Sequence, residues 1–110
     1  MRVIDSSLIA EAVEKLCTPA ATKLPKDVFD ALEKSAALEE SPLGKSILNQ
    51  VVENANISRN EIRPLCQDTG YAVLFVELGK ECFIEGDTLD DACQEGISRG
   101  YDKRFLRKSI

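Results

Sequence analysis

The apolar pattern of this 110-residue chain changes character once, and that change limits the folds open to it. In the first half, apolar residues recur every three or four positions, as they do along one face of a helix. From Arg59 to Gly70 the sequence RNEIRPLCQDTG has neither a helical nor a strand period. Immediately afterwards Ala72, Val73, Leu74, Phe75 and Val76 are continuously apolar, the pattern of a strand buried on both faces.

Three helices are expected before the change. Asp5 to Thr18 places Leu8, Ile9, Ala12, Val13, Leu16 and Cys17 on one face, with Asp5, Ser6 or Ser7 available to cap its start and Pro19 to end it. A second helix starts near Pro25 and buries Val28, Phe29, Leu32 and Ala36. The third is capped by Ser41 ahead of Pro42 and carries Leu43, Ile47, Leu48, Val51, Val52 and Ala55, with Asn54 and Asn56 favouring its end. Pro64 keeps Arg63 out of helical geometry, and Asp68-Thr69-Gly70 is turn chemistry in which Gly70 is free to take a positive φ.

The strand Ala72 to Val76 is expected to open a β-hairpin, with a turn at Gly79-Lys80 and a returning strand from Glu81 to Glu85. Gly86 and Asp87 break that strand. Thr88 then caps a fourth helix, with Asp91 as its capping-box partner and a face of Leu89, Ala92, Cys93, Gly96, Ile97, Gly100 and Tyr101. Each helical glycine costs about 1 kcal/mol relative to alanine. Two of them four residues apart point to close approach of another backbone. The expected fold is therefore α+β: three N-terminal helices, a β-hairpin and a fourth helix in one domain, 1–110. A strand buried on both faces needs more covering than these elements provide, and the last residues carry no terminating signal. Both features lead us to expect a portion of something larger.

Charge and composition narrow the function. Fourteen Lys and Arg against nineteen Asp and Glu leave a net charge of -5, which argues against a nucleic-acid binder. No apolar run approaches the ~20 residues that span a bilayer, and the N-terminus lacks the apolar core of a secretory signal. A cytoplasmic protein without membrane or nucleic-acid partners is expected. The chain has no His, which removes Ser/His and Cys/His dyads and imidazole metal ligands.

The four cysteines, Cys17, Cys66, Cys82 and Cys93, contain no C-x-x-C pair, which argues against a metal or redox site built from these thiols alone. Disulfides are not expected in such a compartment. Cys17 and Cys93 follow helical stripes and Cys82 lies on a strand. Cys66 follows no stripe. In Cys66-Gln67-Asp68-Thr69-Gly70 a thiol, an amide, a carboxylate and a hydroxyl meet on one turn. A loop thiol beside Arg63 can be held as thiolate and offered to a metal, with Gln67 and Asp68 binding polar substrate atoms. A loop cysteine among ordinary turn residues reads equally well.

The run Arg63-Pro64-Leu65-Cys66-Gln67-Asp68-Thr69-Gly70, followed by Ala72 to Val76, resembles the signature of the class I fumarate hydratase and L(+)-tartrate dehydratase family, at the start of its alpha subunit or alpha region. Leu24-Pro25-Lys26-Asp27-Val28, Glu40-Ser41-Pro42-Leu43-Gly44, Ile84-Glu85-Gly86-Asp87, Arg99-Gly100-Tyr101 and Leu106-Arg107-Lys108-Ser109 extend the resemblance over essentially the whole chain, in order.

The resemblance implies reversible hydration of a small dicarboxylate, of fumarate/malate or tartrate type, on a [4Fe–4S] cluster held by three cysteines with one iron open. Cys66 matches the first cluster ligand. Gln67 and Asp68 match substrate contacts, Asp68 is the candidate catalytic residue, and Arg107 matches an arginine that clamps a substrate carboxylate. The family's alpha region is longer. Its other two cluster cysteines are expected beyond this sequence, and its catalytic base resembles a residue of a separate beta region. The implied partners are the remainder of the alpha region and a beta subunit, in an oligomer. By itself the chain is expected neither to hold a stable cluster nor to turn over substrate. A non-catalytic interaction module, or a truncated remnant of the family, is the alternative.

Overall fold

In the computed structural model the described residues are 1–66, 70–104 and 106. The elements run β1 (Arg2–Asp5), α1 (Ser6–Thr22), α2 (Lys26–Leu38), α3 (Pro42–Glu61), β2 (Cys82–Glu85) and α4 (Leu89–Arg104). The class is α+β, as the sequence predicts. The described residues fall into two compact units, one formed by Met1–Pro19 with the residues from Gly70 onward, the other by residues 20–66.

The first unit sets two strand-then-helix pieces side by side. β1 pairs in parallel with β2, with Val3 opposite Phe83 and Ile4 opposite Ile84, and the Arg2 N–H extends the ladder to the Glu81 carbonyl at 2.8 Å. β1 leads directly into α1, and β2 reaches α4 through Gly86, Asp87 and Thr88. The buried Ser6 hydroxyl accepts the Asp87 N–H at 2.9 Å and so joins the two strand–helix corners. Gly86 makes this corner possible: its φ is 102°, and a Cβ there would lie 2.6 Å from Ser6 Oγ. Thr88 caps α4 by accepting the Asp91 N–H at 3.1 Å.

α1 and α4 then pack through the two glycines. A Cβ on Gly96 would lie 2.5 Å from the Ala10 carbonyl oxygen, and one on Gly100 would lie 2.7 Å from Cys17 Cβ. Ala10, Val13, Cys17, Ala92 and Leu106 are buried here, a core of mostly small side chains because the helices approach so closely. The buried positions of α1 differ from the expected stripe. Leu8 and Leu16 are exposed, and Ala10 takes the place of the larger residues.

The second unit is built on α2 and α3. Ser41 caps α3 as expected, accepting the Gly44 N–H at 3.2 Å with Pro42 at the first turn. Ala36, Ala55 and Ser58 are buried, and the Arg59 guanidinium lies 5.8 Å from the centre of the Phe29 ring. α3 runs on past Asn54 and Asn56 to Glu61 and ends at Ile62, which takes a left-handed φ of 53°.

Two further local expectations are corrected. Pro19 lies inside α1 rather than ending it. A proline forfeits one backbone bond, and the turn beyond it is held by burial of Ala21 and Thr22 and by the Leu65 N–H donated to the Ala21 carbonyl at 2.8 Å. The expected hairpin is the second. β2 forms close to where the returning strand was placed, but its partner is β1, and the pairing is parallel. Residues 71–78 belong to no helix or ladder, and Tyr71, Val73, Leu74, Phe75, Val76 and Leu78 are all exposed, Phe75 to 98%. A continuous apolar run specifies burial on two faces but does not name its partner.

Candidate functional site

The turn carrying Cys66 is fastened to α3 by a sequence of local bonds. The Arg63 N–H donates to the Ser58 carbonyl at 3.1 Å, closing the end of α3. The buried Ser58 hydroxyl donates to the Pro64 carbonyl at 3.4 Å. Leu65 is 7% exposed, and its N–H donates to Ala21. The Cys66 N–H donates to Asn54 Oδ1 at 3.0 Å.

Asn54 and Ser58 are four residues apart and therefore lie on one face of α3. The turn 63–66 is fixed against that face. Cys66 itself is exposed. The Arg63 guanidinium is 70% exposed and faces Glu61 at 3.9 Å, a contact that solvent weakens, so a cationic group stands three residues from the thiol.

The other cysteines have different surroundings. Cys17 is buried between α1 and Gly100 of α4, and its thiol donates to the Val13 carbonyl at 3.2 Å. Burial, and then the nearby Glu14 carboxylate, push that thiol's pKa up, which keeps it protonated. Cys82 and Cys93 are half-buried. Cys66, which follows no stripe, is exposed and Cys17, in its helical stripe, is buried, while Cys93, also in a helical stripe, is only partly covered. Gln67, Asp68 and Arg107 lie outside the described residues. Gly70 takes the positive φ expected of it, at 77°.

For an iron–sulfur group, Cys66 is chemically suited to be one ligand: an exposed thiol on a backbone held in place before any metal arrives. Among the described residues no group of three or more His, Cys, Asp or Glu is placed to hold a metal ion. One corner of a cluster fits these residues and a complete ligand set does not.

Reading the residues one by one did not find Asn54. It appeared as a helix terminator, because a side-chain amide competes with backbone hydrogen bonds. The signal that identifies it is its spacing from Ser58, two small polar groups on the face that also carries Ala55. A second feature not anticipated is a cleft of about 630 Å³ between α1 and α4, with Glu11, Glu14, Lys15, Arg99 and Lys103 among its walls. Lys103 Nζ lies 2.6 Å from Glu14 Oε1. That ammonium holds the Glu14 carboxyl below its ordinary pKa against an opposing contribution from burial. No helix among the described residues is long and apolar enough to cross a membrane.

Comparison with known proteins agrees with the turn motif. The family model for fumarate hydratase (Fumerase) matches residues 10–110. A protein of Methanocaldococcus jannaschii named for the alpha subunit of L(+)-tartrate dehydratase is 33% identical over 103 residues, 93% of this chain and 36% of that protein. The L(+)-tartrate dehydratase alpha subunit of Escherichia coli K12 is 32% identical over 99 residues, 90% of this chain and 32% of that subunit. The chain thus spans about a third of the length of the curated relatives it matches. With a match that covers nearly all of its residues, the chain belongs to the class I fumarate hydratase and L(+)-tartrate dehydratase family of hydro-lyases.

Proposed function

We propose that this chain forms the N-terminal part of the alpha region of an iron–sulfur hydro-lyase acting on a small dicarboxylate of fumarate/malate or tartrate type. The observation that carries the proposal is the placement of Cys66: an exposed thiol on a turn that four hydrogen bonds hold to helices. Cys66 serves as one of three cluster ligands, and the remainder of the alpha region supplies the other two. When bound, the cluster supplies a Lewis-acidic iron that polarises the substrate's hydroxyl and carboxylate oxygens.

The chain's own residues bind and orient. Arg107 presents a planar fork to a substrate carboxylate, which a lysine cannot reproduce. Gln67 and Asp68, next to the cluster ligand, bind polar substrate atoms, the Gln67 amide N–H donating to a substrate oxygen and the Asp68 carboxylate accepting from a substrate hydroxyl, and Asp68 is a residue able to exchange a proton with the substrate. A beta subunit completes the site, as the "subunit alpha" in the relatives' names suggests, and the assembly works as an oligomer in the cytoplasm.

The exposed run Tyr71 to Leu78 also favours a second reading, a non-catalytic module that binds other polypeptides. One experiment separates them. The chain is reconstituted anaerobically with iron and sulfide, alone and co-produced with polypeptides completing the alpha and beta regions, and assayed for fumarate hydration and tartrate dehydration. Cluster and turnover in the complete assembly only are the expected result. A complete assembly that binds the chain but shows neither cluster nor turnover favours the module.

A further inference from the structure

The bond between Asn54 and Cys66 has a role beyond helix packing. Asn54 lies in the interior of a 20-residue helix, where an asparagine is a poor choice for helix stability. Its side chain is half-buried and directed at a single turn of backbone. An N–H can only donate, so the amide must present its oxygen there and not its nitrogen. The bond spans twelve residues of sequence. It acts on the residue next to Leu65, whose own N–H is committed to Ala21 and whose side chain is buried. Leu65 therefore fixes where the turn sits, and Asn54 fixes the peptide plane at Cys66. With that plane set, the Cys66 Cα is placed as well, and the direction of its Cα–Cβ bond is left to φ at that one residue, followed by χ1 for the thiol.

We infer that Asn54 is a positioning residue that orients the Cys66 thiol in advance of any ligand. The inference deepens the reading of Cys66 as a cluster ligand and rests on that reading for its functional meaning, but its geometry is testable without the cluster. A free turn would lose conformational entropy at the moment a metal binds, and a preset one loses less. The side chain required is a short one with an acceptor oxygen at this position. Asp meets that requirement and Ala does not.

The test uses the 110-residue chain as wild type, Asn54→Ala and Asn54→Asp, with amide hydrogen exchange read at single residues and the rate of Cys66 alkylation by iodoacetamide. Loss of one hydrogen bond is expected to speed exchange at the Cys66 amide about fivefold in the Ala variant. The Leu65 amide, held by Ala21, should not change, and the Asp variant should restore protection. Alkylation should differ from wild type in the Ala variant and return toward it in the Asp variant. Equal exchange at Cys66 in all three proteins overturns the inference. So does equal acceleration at Leu65 and Cys66, which would mark a general loosening of the turn. Should the Ala variant fail to fold, an unprotected Cys66 amide in the wild type overturns the inference, and protection there and in the Asp variant upholds it.

Iron content of the assembled enzyme separates this inference from the one beneath it. Iron lost with Cys66→Ser but fully kept with Asn54→Ala overturns the positioning role alone. Iron kept with Cys66→Ser overturns the ligand reading, and the amide exchange still decides the geometry.

Discussion

Residues 63–66 and 71–78 are neighbours in sequence and opposites in structure. The first stretch contains a proline, a charge and an exposed thiol, yet each of its four residues takes part in a bond to a helix, and Leu65 is buried. The second is almost entirely apolar, and its large side chains stand in solvent. Hydrophobicity did not decide which one is locally complete. A turn is completed by a few hydrogen bonds to elements already present, and α1 and α3 provide them. A strand needs ladder partners and two covering layers, and β2, the strand expected to pair with this run, pairs with β1 instead. The candidate ligand thus belongs to a part of the chain that is finished, followed in sequence by a part that calls for covering.

The largest expected contrast follows directly. Leu65→Ala removes the one buried side chain of the turn and should destabilise the chain by about 2–4 kcal/mol in urea unfolding. A loss below about 1 kcal/mol would mean that the turn is held by its hydrogen bonds alone.

The contrast is sharpened by asking what orders the unit that contains residues 71–78. Besides the β1–β2 ladder, its order comes from the α1–α4 contact, so Gly96→Ala, which drives a methyl against the Ala10 carbonyl oxygen, should cost about 1–3 kcal/mol. Thermal melts of the two proteins check it, and an unchanged melting temperature would contradict the close approach.

A smaller effect comes from the pair Glu14–Lys103 in the same unit. The Lys103 ammonium lowers the Glu14 pKa in the folded chain, so the folded chain holds this proton less readily than the unfolded chain does. The stabilisation is present above the ordinary glutamate value of about 4.3 and is lost as pH falls through the lower folded value. Glu14→Gln should therefore flatten the dependence of stability on pH in that acidic range and leave its slope near neutrality unchanged. An unaltered acid limb would contradict the pair.

The smallest effect is expected where hydrophobicity is greatest. Phe75→Ala should change the stability of the isolated chain by no more than about 0.5 kcal/mol, since the ring is 98% exposed. A loss above about 1 kcal/mol would show the strip already packed and would break the comparison.

What the sequence made legible was local. Ser41 with Gly44 and Thr88 with Asp91 are caps whose donors and acceptors lie three residues apart, so spacing alone finds them. Gly96 and Gly100 announced a close helix contact because nothing else justifies their helix cost. Cys66 stood out by following no stripe, and it is exposed.

The features that escaped depend on residues far apart in the chain. The pairing of Arg2–Asp5 with Cys82–Glu85 spans most of the sequence, and four residues carry too short a pattern to reveal a strand. Pro19 was read by its local penalty, which tertiary burial of Ala21 and Thr22 outweighs. Asn54 was read as a helix terminator because its acceptor role becomes visible only once the turn at Cys66 is in place.

The central claim is that Cys66 carries one corner of an iron–sulfur cluster in a complete hydro-lyase. The direct measurement is iron and acid-labile sulfide per alpha chain, with the visible absorbance spectrum, for the anaerobically reconstituted assembly with Cys66 intact and with Cys66→Ser. The account predicts about four irons per alpha chain for the intact protein, and loss of the cluster's absorbance and most of its iron for the variant. An equal iron content and the same spectrum in both proteins would contradict it.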